Sequence, residues 1–337
     1  LLNYKEEILK LKKELDVVLV AHFYQRDEVF ELADITGDSL ELAKKVMESD
    51  KEFVVFCGVG FMGESAKILN PQKRVLMPRI ACCAMARMID EGYFLENLKK
   101  MNEAGISNDD ILPITYINSS ASVKARVGEM GGMVCTSSNA YKIIEKGLKS
   151  GKKIFFVPDR CLGQNFAKSL GLKSAVIGDG TNLKEADIIC YNGFCSVHQQ
   201  FNIDDIDFYR EKYPGIIVAV HPECDPSVCD KADFVGSTSQ LIKFIKELPE
   251  DQKVVVGTEF NMVNRLREKN TYILSSTKPE CPTMNETTLE HVYLTLKSIK
   301  ENKISELSEI KVDEKTRYWA KIALERMFEI WFILKGL

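Results

Sequence analysis

The sequence predicts an α/β protein made of three similar small three-layer α/β domains with parallel sheets. Apolar runs of about five residues alternate with amphipathic segments of helical period, the pattern of parallel α/β units. The chain has 337 residues, more than one hydrophobic core usually serves. Comparable runs recur at spacings of about 100 residues, which suits domains and is too long for a solenoid.

The runs fall into three sets. Strands ending in His or Tyr plus a polar partner are "VVLVAHFYQ" (17–25), "ILPITYINSS" (111–120) and "GIIVAVHPEC" (215–224). Strands leading through a small-residue turn into a helix are "FVVFCGVGFMGESAKIL" (53–69), "GGMVCTSSNAYKII" (131–144) and "ADFVGSTSQLIKFI" (232–245). A third kind comprises "KRVLMPRIACCAMA" (73–86), "KKIFFVPDRCLG" (152–163) and "NTYILSSTKPECPT" (270–283). The expected domains span 1–104, 105–192 and 193–297, with a helical segment at 298–337. Its last helix, 314–337, is expected to pack on the first domain through a Trp, Phe and Ile stripe.

With 45% apolar and 28% charged residues and a net charge of −4, the chain reads as an ordinary globular protein. Acidic and basic residues are interspersed and form no basic stripe, so a nucleic-acid partner is not expected. The longest apolar stretches, such as "VVLVA" and "IIVAV", are strand-sized and too short for a membrane span. "LLNYKEEILKLKKELD" is charged and helical and lacks a signal peptide's apolar centre. Its missing Met points to a trimmed start, and the cytoplasm is the expected compartment.

Ten cysteines in a reducing compartment argue against a disulfide framework. Cys57, Cys135 and Cys190 end apolar runs, where cysteine behaves as a small hydrophobe. Cys224 and Cys229, in "ECDPSVC", read as free thiols. No Cys-x-x-Cys pair occurs, so a metal site would have to gather ligands remote in sequence. Cys195 and His198, in "YNGFCSVHQQF", fit half of a zinc site, a nucleophile beside its base, or two unrelated buried residues.

In parallel α/β sheets ligands bind beyond the carboxyl ends of the strands. His22 and Tyr24, Tyr116 and Asn118, and His221 and Glu223 all fall at such ends. The turns "GDSLE", "TSSNA" and "GSTSQ" add helix N-termini bearing Ser39, Ser137 and Thr238. These hydroxyls can cap the helices or help to bind an anion with several acidic groups, and the two uses are compatible.

A run of motifs in one order carries a family resemblance: "AHFYQ", "ADITGDSLELA", "VVFCGVGFMGESAKILNP", "TYINSSASVKA", "CTSSNA", "PDRCLGQNFA", "GFCSVH", "HPEC", "GSTSQL", "GTEFNMVNRL" and "CPTMNETTLEHV". From about residue 17 to 297 the chain resembles the bacterial quinolinate synthases, iron–sulfur enzymes of NAD biosynthesis. The resemblance implies a pseudo-threefold arrangement of the domains around a central active site. It implies that Cys83, Cys195 and Cys281 hold a [4Fe-4S] cluster whose fourth iron is open as a Lewis acid. The implied reaction condenses iminoaspartate with dihydroxyacetone phosphate to quinolinate, losing phosphate and water. L-aspartate oxidase, the source of the imine, is a possible transient partner.

In that reading Glu223 is the general base and Tyr24 its acid/base partner, with His221 and Tyr116 also catalytic. Substrate contacts fall to His22, Ser39, Tyr116, Ile117, Asn118, Ser137, His198, His221, Pro222, Glu223 and Thr238. "VGEMGGMV" is a few residues longer than in many relatives, which leaves Ser137 or Ser138 to fill the second turn's place. "SSTKPEC" lacks the extra cysteines some relatives carry before Cys281, so no disulfide switch is expected there. The competing readings are an iron–sulfur hydro-lyase acting on a hydroxy acid and a non-catalytic iron–sulfur sensor or ligand-binding protein.

Overall fold

A computed structural model describes the backbone of residues 2–335; the side chains of residue 269 and residues 330–335 lie outside the described residues. The fold is built on three parallel sheets. The first unit runs α1 (Tyr4–Glu14), β1 (Val17–His22), α2 (Asp27–Phe30), β2 (Ile35–Gly37), α3 (Ser39–Glu48), β3 (Phe53–Cys57), α4 (Gly60–Leu69), β4 (Arg74–Leu76) and α5 (Glu91–Glu103). The second runs β5 (Ile111–Tyr116), α6 (Ala121–Glu129), β6 (Met133–Cys135), α7 (Ala140–Leu148), β7 (Lys153–Val157), α8 (Arg160–Ser169), β8 (Ser174–Val176) and β9 (Ile188–Cys190). The third runs α9 (Ile203–Lys212), β10 (Ile217–Val220), α10 (Pro226–Lys231), β11 (Phe234–Val235), α11 (Thr238–Glu247), β12 (Val254–Gly257), α12 (Phe260–Asn264) and β13 (Thr271–Ile273). Two helices follow, α13 (Leu289–Lys300) and α14 (Glu314–Lys335).

The sheet orders are β2-β1-β3-β4, β6-β5-β7-β9-β8 and β11-β10-β12-β13. The same topology is thus used three times, with β8 added at one edge of the second sheet. β1 and β5 are buried along their whole length, because helices cover both faces, as parallel sheets require. That is why they read as unbroken apolar runs.

The topology regroups the sequence repeats. β3 corresponds to β7 and β12, and β4 to β9 and β13. The second-set partner of β6 and β11 is β2, not the run at 53–69. β2 has three residues, two of them half-exposed, so it left almost no apolar signal. The longer β3 stood in its place.

Two terminal helices also depart from the expected limits. α13, assigned to the end of the third domain, packs on α1 of the first unit, where Val292 and Leu296 share a core with Ile8 and Leu11. α14 was expected on the first domain, but packs mainly on α6 and β6 of the second and only secondarily on α4. Ala320, Ala323, Leu324, Met327 and Phe328 enter the shared core; Trp319 and Ile322 of the stripe are half-buried, and its members from 330 on lie outside the described side chains. Gly128 on α6 permits this approach, since a Cβ there would stand 2.1 Å from the Trp319 carbonyl oxygen. Gly128→Ala is therefore expected to cost about 1–3 kcal/mol by overpacking. Denaturant unfolding checks this, and an unchanged midpoint would speak against such close packing of α6 and α14.

Among the described residues, no helix is long and apolar enough to cross a membrane.

Candidate active site

Carboxyl ends of strands from all three sheets open onto one cavity. β1 delivers His22 and Tyr24, β5 delivers Tyr116 and Asn118, and β10 delivers His221 and Glu223. The turns after β2, β6 and β11 bring Ser39, Ser137 and Thr238 to its wall. The caps are made by neighbours: Asp38 caps α3 and Ser237 caps α11, each in a capping box. Ser39, Ser137 and Thr238 are thus spared the cap positions. Ser137 faces the cavity while Ser138 turns away to Asp38, so the longer "VGEMGGMV" leaves Ser137 at the wall.

Cys83, Cys195 and Cys281 line the same cavity, and their loops repeat one geometry. The first residues of α4, α8 and α12 (Gly60, Arg160 and Phe260) donate their N–H to the carbonyls of Ala81, Gly193 and Pro279. Each of those carbonyls lies two residues before a cysteine. Each cysteine carbonyl then accepts from the N–H four residues on, at Arg87, Gln199 and Asn285. A short 3-10 turn opens at the third residue after each: Ala86–Met88, His198–Gln200 and Met284–Glu286. The N–H of that third residue faces the sulfur in every case. Cys82 has no counterpart in the other loops and is exposed.

Burial pushes the Cys83 thiol up to about 12 and raises Cys195 and Cys281 as well, and the negative charges of the other cysteines add to the rise at Cys83 and Cys195. Three half-buried thiols that resist ionisation are poor nucleophiles. A bound cation would offset both the burial and the mutual repulsion, as metal coordination does for thiols in general. Cys195, His198 and Glu223 also place one ligand atom each within 4.8 Å of one another, a set that could hold a single metal ion.

A chain of hydrogen bonds crosses the cavity. The Tyr116 hydroxyl donates to Glu223 Oε1 at 2.6 Å, and His198 Nδ1 lies 2.9 Å from Glu223 Oε2. His198 Nε2 is 3.0 Å from Thr258 Oγ1, which is 3.0 Å from the Tyr24 hydroxyl. Tyr24 in turn reaches Thr238 Oγ1 at 3.0 Å. Burial pushes the Glu223 carboxyl up, but His198 and His221, with hydrogen bonds from His198 and Tyr116, outweigh it and hold the group at about 2. Burial first, and then the Glu223 charge, raise Tyr24 and Tyr116 well above the ordinary phenol value. Of the two roles open to an acid/base partner, this suits Tyr24 to the acid, since it is held protonated.

His22 and His221 share one arrangement. Each accepts at Nδ1 from the backbone N–H two residues on, Tyr24 at 3.1 Å and Glu223 at 3.3 Å. Nε2 therefore carries the proton in the neutral ring. Burial lowers His22 to about 4 and His221 to about 3, so both are neutral hydrogen-bond donors at neutral pH. In the unfolded chain each binds a proton near pH 6.5, so below that pH the unfolded state holds more protons and the fold loses stability. The expected loss at pH 5 is about 2 kcal/mol per histidine. Glu223 adds to it only below about pH 4.5. Comparing unfolding at pH 7 and pH 5, His22→Gln is expected to shrink the drop by about 2 kcal/mol. An undiminished drop would contradict a buried neutral His22.

The buried Asn118 Oδ1, which has no protein partner among the described residues, lies at the cavity wall. Its turn is fixed by Lys124, whose buried ammonium donates to the carbonyls of Ile117, at 2.8 Å, and Ser119. Ile117 and Pro222 flank the cavity without lining it; the Pro222 carbonyl accepts from Asn165. Sequence reasoning missed Asp38, Thr136, Thr258 and Glu259. Glu259 Oε1 accepts the Cys281 N–H at 3.2 Å, and burial pushes its carboxyl up to about 8. The pair Thr258–Glu259 directly follows β12 as Tyr24 closely follows β1, so strand position could have found it. The apolar wall of Val59, Phe61, Met62, Val197 and Met284 carries no sequence signal that separates it from ordinary core.

Residues 6–329 match a family described as "Quinolinate synthetase A protein". The chain is 54% identical to a protein named quinolinate synthase from Helicobacter pylori (strain HPAG1), over 97% of this chain and 98% of that one. It is 41% identical to proteins of the same name from Acidobacterium capsulatum, over 93% and 88% of the two chains, and from Streptomyces coelicolor, over 93% and 84%.

Proposed function

The chain belongs to the quinolinate synthase family, and on that premise we propose that it condenses iminoaspartate with dihydroxyacetone phosphate to quinolinate, with loss of phosphate and water. The observation that carries this reading is the threefold-equivalent set of cysteine loops around one cavity lined by hydrogen-bond donors. Cys83, Cys195 and Cys281 would hold a [4Fe-4S] cluster at three corners. When bound, such a cluster supplies an iron with an open position that acts as a Lewis acid.

The protein's own groups divide the remaining work. Ser39, Ser137 and Thr238, with Asn118 and the Nε2–H of His22 and His221, present donors to carboxylates and phosphate. Glu223 is ionised at neutral pH and serves as the general base. Its proton affinity is held low chiefly by His198 and His221, and in smaller part by the hydrogen bond from Tyr116. When Tyr116 donates to a substrate oxygen instead, that smaller contribution is lost and the carboxylate becomes a somewhat better base. Tyr24 serves as the acid at the other end of the chain, and Thr258 and His198 return its proton from Glu223. Thr258→Val would break this return and lower turnover while sparing substrate binding.

The unpaired state of all ten cysteines and the need of an open iron for protection from oxygen both favour the cytoplasm. The instability of iminoaspartate favours transient delivery by L-aspartate oxidase. The test is an anaerobic assay of the reconstituted protein with both substrates. Quinolinate is the expected product. Dehydration of a hydroxy acid without quinolinate would favour an iron–sulfur hydro-lyase, and binding without turnover a sensor.

A further inference from the structure

Asp38 is buried at the meeting point of the three units, and all of its hydrogen-bonding partners are accounted for. Oδ1 accepts the N–H groups of Leu40 and Glu41, both at 3.0 Å, and so caps α3. Oδ2 accepts the hydroxyls of Ser138, from the second unit, at 3.0 Å and Ser239, from the third, at 2.7 Å. Ser239 Oγ also lies 3.0 Å from Glu41 Oε2, which accepts the Asp38 N–H at 2.9 Å. One carboxylate oxygen therefore joins two hydroxyls from two other units.

The members of this cluster sit beside the anion-facing residues in sequence. Asp38 precedes Ser39, Ser138 follows Ser137, and Ser239 follows Thr238. Fixing the three cluster members fixes their three neighbours, since adjacent Cα atoms are held at one peptide length. The charge of Asp38 also lies where the N-terminal ends of α3 and α11 and the turn leading into α7 approach one another. There it offsets their positive ends without occupying the hydroxyls that face the cavity.

We infer that Asp38, through Ser138 and Ser239, is a positioning residue that sets the spacing of Ser39, Ser137 and Thr238. It thereby tunes the cavity to small ligands whose acidic groups lie close together. This inference rests on the proposed function for the identity of those ligands. A clasp between units of this kind acts on affinity for anions and leaves the acid–base groups in place.

The test uses anaerobically reconstituted protein carrying Ser138→Ala and Ser239→Ala together, with Asp38 and every cavity-lining residue retained. Quinolinate and inorganic phosphate are the calorimetric probes, alongside KM, kcat and the cluster absorbance. The expected result is a rise of about tenfold or more in Kd and KM, the scale of lost hydrogen bonds to a charged group. kcat is expected to stay within about threefold and the absorbance to be unchanged. Replacing both serines by Thr keeps the hydroxyls and is expected to restore affinity. If the alanine pair folds poorly, Ser138→Ala and Ser239→Ala as single substitutions must each give the same split. Unchanged Kd and KM, or a loss confined to thermal stability, would overturn the clasp. Wild-type protein that binds neither probe would overturn the functional reading, and the clasp with it.

Discussion

Glu223→Gln is expected to retain iron and bind substrates while turnover falls by about 10²-fold or more, the usual scale for removing an acid–base group. The amide has the carboxylate's shape, so the Tyr116 hydroxyl at 2.6 Å still has an acceptor. The amide nitrogen meets His198 Nδ1 as a donor, however, and the His198–Thr258–Tyr24 chain loses the group from which it draws protons. A fall in kcat with little change in KM is the signature of an interaction used in the transition state. Near-normal turnover would remove Glu223 from the chemistry and leave its place among His198, His221 and Tyr116 as a structural network.

The second large effect is on metal content. Cys83→Ser, Cys195→Ser and Cys281→Ser are each expected to leave the protein under-loaded with iron and unable to form quinolinate. Serine presents a hard, weakly acidic hydroxyl where a soft thiolate is needed. Cys82→Ser is expected to keep both iron and activity, because Cys82 is exposed and stands outside the repeated loop geometry. Iron and sulfide analysis of the four variants after anaerobic reconstitution decides the matter. Retention of iron in Cys83→Ser with loss in Cys82→Ser would shift the site by one residue and break the equivalence of the three loops.

Much of this arrangement was legible in the amino-acid order because burial writes itself into composition. β1, β5 and β10 have helices on both sides and few polar residues before their ends. The break from apolar to His, Tyr or Glu then marks where the strand leaves the core and meets the cavity. The strand that failed to show is a short one. β2 has three residues, too few for a period, and its place in the sheet comes from pairing with β1.

The illegible part of the site is illegible for other reasons. Phe61 and Met62 look like any core residues, since an apolar side chain facing a cavity costs nothing to write. Asp38 reads as an ordinary cap, and it is one; only the approach of Ser138 and Ser239 from sequence separations of 100 and 201 residues adds its second role. The packing of α13 on the first unit and α14 on the second is likewise set by distant faces. Amphipathic period says that such a helix must bury one side, and says nothing about which unit covers it.

The central claim is that three equivalent cysteine loops hold an iron–sulfur cluster and leave one iron without a protein ligand. Mössbauer spectroscopy of anaerobic protein reconstituted with isotopically labelled iron tests it most directly. The account predicts one iron site distinct from the other three, with parameters that shift when quinolinate is added. Four cysteine-ligated irons that ignore quinolinate, or full activity in iron-free protein, would contradict it.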